Sequence, residues 1–216
     1  QILPVVRNPD ELQAPHPVFK AFHEQTYSRN FSRDEVRERV IPAYMGLIKQ
    51  IDDHLGRVFE VLKSKKLMDS TLIVFTADHG DYLGDHWLGE KDLFHEPSVR
   101  IPLIVCDPDT SAESTRGTVS QEFAEAVDIV PTMVEFAGGK ICEQRMEGQS
   151  LLPLTRGILD PDNNREYTIS QIDYSDRGPR VSLNLHPYDC RAHMIRTKDW
   201  KYILHEKFSP QLFDLK

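Results

Sequence analysis

The run Thr71-Leu72-Ile73-Val74-Phe75-Thr76 stops abruptly at Ala77-Asp78-His79-Gly80. β-Branched and aliphatic residues cut off by polar residues and glycine predict a buried strand over 71–77. Such a strand delivers two metal-competent side chains where the chain leaves the sheet. In open α/β sheets, ligands bind in the crevice past the carboxyl ends of the strands. A carboxylate beside a neutral imidazole suits a divalent ion such as Mg, Ca, Mn or Zn. Gly80 then allows a sharp turn. On their own, Asp78 and His79 read more readily as loop caps that accept backbone hydrogen bonds. The downstream residues Leu83-Gly84-Asp85-His86 and then Lys91 give them weight as ligands.

Upstream, Ser32 and Glu35 form a Ser-x-x-Glu capping box that predicts a helix running to about Lys65. Val36, Val40, Tyr44, Leu47, Ile48, Ile51, Leu55, Val58, Phe59 and Leu62 fall on one apolar stripe of that helix. Pro42 is expected to kink it or to end a first short helix. Residues 1–31, rich in Pro, His and aromatics, read as irregular. A second buried strand is expected at Ile101–Cys106, and a helix at Asp128–Ala137 closed by Gly138-Gly139. Residues 157–166 read as a linker. Beyond it, Tyr167–Ile172, His193–Arg196 and Lys201–Leu204 read as consecutive short strands. That change of pattern predicts a small antiparallel sheet at 167–216 beside a main α/β domain at 1–156.

The segment D-H-G-D-Y-L-G-D-H-W-L-G-E-K resembles the second metal motif of sulfatases and phosphonate monoester hydrolases, members of the alkaline phosphatase superfamily. The resemblance continues through Ile51-Asp52-Asp53-His54-Leu55-Gly56-Arg57-Val58, Pro97-Ser98-Val99-Arg100-Ile101-Pro102, Val127-Asp128-Ile129-Val130-Pro131-Thr132 and Gly148-Gln149-Ser150-Leu151-Leu152-Pro153. It implies an alkaline-phosphatase-like sandwich: a central, mostly parallel sheet flanked by helices, with a small C-terminal antiparallel sheet. It also implies that this chain is a partial copy, lacking the N-terminal half.

The resemblance implies one divalent ion held by Asp78 and His79 with carboxylates from outside this chain. It further implies a formylglycine nucleophile outside the segment, and a catalytic role for Lys91 at the substrate's charged oxygens. An upstream His of the family falls before Gln1, with His16-Pro17 a candidate substitute. Cys106-Asp107-Pro108-Asp109-Thr110 has Cys and Pro at the nucleophile spacing but Thr110 where that motif has Arg, so Cys106 reads as a small hydrophobe. Asp85 and His86 read as residues that hold the loop, and Arg100 as a structural ion-pair partner. The remaining His, at 16, 23, 95, 186, 193 and 205, show no metal-ligand spacing and read as packing or surface groups.

A formal charge of −8 argues against nucleic acid as a partner, since phosphate binding needs clustered Lys and Arg, but it leaves a small anionic ester as substrate. No apolar run approaches the ~18 residues of a membrane span. Three cysteines fit a reducing cytoplasm better than a disulfide framework. The resulting expectation is a cytoplasmic, homo-oligomeric hydrolase of sulfate or phosphonate/phosphate esters, with the segment alone inactive. Two alternatives remain at this point: a phosphotransferase of the same superfamily (mutase or nucleotide pyrophosphatase), or a non-catalytic binding or assembly fragment.

Overall fold

The computed structural model describes residues 5–158 and 165–216. The expected linker at 157–166 therefore lies largely outside the described residues. The chain forms two compact units: residues 1–52, 79–101 and 169–216 make the first, and residues 53–78 and 102–168 the second.

The first unit begins with helices where an irregular segment was expected, α1 (Pro17–His23) and α2 (Thr26–Phe31). Pro17 at the first helical position has no N–H to leave unsatisfied, and Nδ1 of His16 accepts the amide of Val18. Val18, Phe19 and Phe22 then bury one face of α1 against Tyr82, Leu88, Leu93, Tyr174 and Cys190. Each large side chain so buried contributes about 1.5–3 kcal/mol.

Helix α3 spans Asp34–Ser64 without interruption. The expected capping box does not form. Ser32 instead ends α2 as its C-cap, two residues before α3 begins, with its hydroxyl turned to the carbonyls of Ser28 and Trp87. Pro42 is exposed and does not end the helix, because the carbonyl it displaces can tilt toward water. Of the α3 side chains only Arg37 and Ile41 are buried, and Leu47, Ile48, Ile51 and Val58 of the apolar stripe are about half exposed.

The sheet of the first unit has the order β3 (Thr168–Asp173), β4 (Arg191–Arg196), β5 (Trp200–His205), β6 (Gln211–Asp214). The β4–β5 and β5–β6 pairs are antiparallel, with Ala192 opposite His205 and Met194 opposite Ile203. Strict alternation turns Lys201, Ile203 and His205 inward, where Ile203 packs with Phe94, Ala192 and Met194. Strand β6 carried too short a pattern to be anticipated.

In the second unit β1 (Ile73–Thr76) pairs antiparallel with β2 (Leu103–Cys106), Thr76 opposite Leu103. The mostly parallel central sheet expected of the whole fold is represented, among the described residues, by this pair. Neither strand is fully buried. β2 alternates, leaving Ile104 and Cys106 exposed, because no further layer among the described residues covers that face. Helix α5 (Ile129–Phe136) ends as expected at Gly138, whose φ of 74° suits the position after a helix terminus. Preceding α5, the buried Asp128 takes both Arg165 guanidinium nitrogens at 2.8 Å and the amides of Glu125 and Gln149.

Candidate active site

Strand β1 ends at Thr76, and both Asp78 and His79 are exposed just beyond it. Nδ1 of His79 lies 2.8 Å from the carbonyl oxygen of Gly80. A carbonyl only accepts, so Nδ1 carries the proton and Nε2 presents its lone pair. Nζ of Lys91 lies 2.7 Å from that Nε2 and donates to it. A cation thus already sits at the ring nitrogen that a divalent ion would use, and the tautomer is the one ligation needs. Among the described residues no group of three or more His, Cys, Asp or Glu side chains gathers into a metal site. By donor chemistry alone, Asp78 would supply a carboxylate and His79 an imidazole nitrogen to a divalent ion.

Gly80 is required by space, not by its φ. A Cβ there would lie 1.8 Å from the carbonyl oxygen of Pro97, and the Gly80 amide donates to the carbonyl of Ser98 at 2.8 Å. The backbone leaving His79 is thereby clamped to α4 (Glu96–Val99). Arg100, just past that helix, is exposed and without an ion pair among the described residues, contrary to expectation.

The loop from His79 to Lys91 is unusual in its backbone. Leu83, His86, Trp87 and Glu90, followed by Asp92 and Leu93, all have φ between 46° and 79°. A non-glycine residue held there costs of the order of 1 kcal/mol or more. Burial of Tyr82, Leu88, Leu93 and Phe94, at about 1.5–3 kcal/mol each, offsets that cost. Internal bonds close the loop: Tyr82 N–H to the Glu90 carbonyl at 2.8 Å and Gly84 N–H to that of Leu88 at 2.9 Å. Gly84 has φ 100°, and a Cβ there would meet Arg37, whose Nε donates to the Leu83 carbonyl at 2.8 Å.

Asp85 and His86 hold this loop, as expected. Oδ1 of Asp85 accepts the Val6 amide, and Nδ1 of His86 lies 2.6 Å from Oε1 of Glu11. The His86 ring stacks on His95 at 4.3 Å. The Tyr82 hydroxyl receives the His95 amide and donates to Nδ1 of His95 at 2.9 Å. Burial, with the nearby His86 and Lys201 charges, lowers the His95 pKa to about 3, so the ring stays neutral. Burial also raises the Asp81 carboxyl, against the opposing bond from the Leu83 amide. Behind the loop, Lys201 is buried and donates to the Phe94 carbonyl at 2.7 Å and to Glu96 at 2.8 Å. Sequence reasoning missed Arg7 and Glu11 because nothing local in residues 1–16 signals a partner so far along the chain, whereas His95, read as a packing or surface group, packs against His86 and Tyr82.

A sulfatase family profile matches residues 12–139, and one described as N-sulphoglucosamine sulphohydrolase, C-terminal, matches 84–216. The chain belongs to the sulfatase family. Among curated relatives of this sulfatase chain, the multifunctional alkaline phosphatase superfamily protein PehA of Trinickia caryophylli is 35% identical over 97% of the chain and 42% of its own length. Arylsulfatase K of Gallus gallus is 31% identical over 93% of the chain and 36% of its own length. Among solved structures, the phosphonate monoester hydrolase SpPMH from Silicibacter pomeroyi superposes with a TM-score of 0.88 at 28% identity, over 99% of this chain and 44% of that one. The sulfatase chain therefore spans less than half the length of these relatives, and its fold is the alkaline-phosphatase-like one.

Proposed function

We propose that the protein carrying this sulfatase chain hydrolyses sulfate, phosphate or phosphonate esters, with Asp78 and His79 as two ligands of a divalent ion and Lys91 as the cation that meets the transferred group. The observation that carries this reading is the contact between Lys91 and Nε2 of His79, which brings together the two functional groups the family motif implies. When bound, the ion supplies Lewis-acid stabilisation of charge on the transferred group. His79 holds its proton on Nδ1 and offers Nε2. Asp78 adds a carboxylate from the adjacent position. With an ion on Nε2, the Lys91 ammonium would give up that lone pair and be left beside the site, where anionic oxygens would arrive. A single positive charge there contributes mostly as negative charge builds on those oxygens. The remaining ligands and the nucleophile, expected as formylglycine, lie outside this chain. That division supports an inactive segment and an active whole.

No helix among the described residues is long and apolar enough to cross a membrane. The proposed substrate is a small anionic ester, and a homo-oligomeric assembly is retained as part of the proposal. The test is a steady-state assay of the full-length protein on p-nitrophenyl sulfate and on a p-nitrophenyl phosphonate monoester, with elemental analysis of the same preparation. Turnover of at least one ester together with a bound divalent ion is expected. A metal-free protein without turnover of either would overturn the reading in favour of a binding or assembly role.

A further inference from the structure

We propose that Glu11 and His86 are positioning residues for Lys91: their contact pins a strained loop so that the ammonium stays against His79. This inference rests on the role proposed above for Lys91.

A loop with four left-handed non-glycine residues between His79 and Lys91, and two more directly after, does not keep that shape through its own preferences. Its internal bonds fix the turns but not their placement. Placement comes from a strap formed by residues 6–11. Val6 exchanges two bonds with the loop, its amide to Oδ1 of Asp85 at 2.9 Å and its carbonyl from the His86 amide at 2.7 Å. Arg7 Nε donates to the Gly84 carbonyl at 2.9 Å, and its guanidinium lies 4.9 Å above the Trp87 ring. Trp87 Nε1 donates to the Asn8 carbonyl at 3.1 Å.

Glu11 closes the strap through a side-chain pair that reaches the core of the loop. Its partner His86 is in the left-handed region at φ 52° and stacks on His95. His95 is in turn fixed by Tyr82, the residue whose amide closes the loop onto Glu90, the neighbour of Lys91. The line Glu11–His86–His95–Tyr82–Glu90 thus runs from the strap to the backbone beside Lys91. Each of these residues acts on the ammonium through the loop, and none needs to touch substrate.

A double-mutant cycle in the full-length protein tests this. On the esters named above, E11A and H86A are expected to lower kcat by about ten-fold or more, with bound metal at the wild-type level and KM little changed. In a K91A background E11A should add less than about two-fold, because the pin then has nothing left to place. H86N, which keeps an N–H donor and tolerates a left-handed backbone, should recover most of the loss, and E11Q should do so in part. Should E11A and H86A fail to fold, E11Q, with its partial loss, carries the same cycle. Full multiplication of the E11A and K91A losses would overturn the pin, as would wild-type kcat in E11A beside an impaired K91A. Wild-type activity in K91A itself would instead strike the underlying role of Lys91.

Discussion

Nζ of Lys91 lies 2.7 Å from Nε2 of His79, on the one ring nitrogen that holds a lone pair, because Nδ1 donates to the Gly80 carbonyl. On the proposed assignment a divalent ion would displace the ammonium from that position. Removing either proposed ligand should therefore have a different signature from removing the ammonium. His79→Ala or Asp78→Ala in the full-length protein should abolish turnover and sharply reduce bound metal, since an open site short of one ligand is not refilled by the protein. Normal metal content and activity in either variant would remove that residue from the site.

Lys91→Ala should retain metal and lower kcat/KM by roughly 2–4 kcal/mol of transition-state stabilisation. Lys91→Arg should recover only part of this, because a planar fork does not replace a compact ammonium. The check is kinetics with metal analysis on one preparation. Unchanged kcat/KM on both esters would make Lys91 an ordinary surface lysine.

Asp128 should prove structural. It is 1% exposed and engages Arg165 twice along with two backbone amides. Asp128→Ala leaves those two amides unpartnered and the partly buried guanidinium with Glu125 alone, so a destabilisation of about 3 kcal/mol is expected from denaturant titration. Asp128→Asn should cost less, since it retains an acceptor. A variant within experimental error of the wild type in unfolding midpoint would contradict this.

Stability should fall as the medium is acidified from neutrality. The unfolded chain takes a proton on His95 near pH 6.5, whereas burial keeps the folded ring neutral until about pH 3. Between those values the unfolded state binds more protons, and stability declines as pH falls through that window. His16 and His205, also lowered by burial, add to the slope with the same sign. His95→Gln keeps an acceptor for Tyr82 and should flatten the dependence of Tm on pH between 6.5 and 4. Parallel curves for variant and wild type would show that His95 does not contribute.

The elements around the site were readable where local chemistry repeats a pattern. The β1 run, α5 with its closing Gly138, and three strands of the second sheet declare themselves within a few residues. The exposed position of Asp78 and His79 just past a strand end was legible from the apolar run before them. The illegible parts depend on distant partners. Ser32 looked like a cap, yet its hydroxyl serves Ser28 and Trp87 instead. Gly80 looked like a turn residue, but the carbonyl of Pro97 is what excludes a side chain there. Pro17 and the spacing of Val18, Phe19 and Phe22 did mark α1, and the signal was hidden by surrounding Pro and His residues.

Leu47, Ile48, Ile51, Val58 and Val61 of α3 are each about half exposed, which gives one helix a long greasy flank. Contiguous apolar patches of several hundred Å2 are rare on soluble monomers and promote self-association. For anyone preparing the 216-residue segment by itself, the consequence is colloidal rather than chemical. Light scattering should rise steeply with protein concentration and with added sulfate.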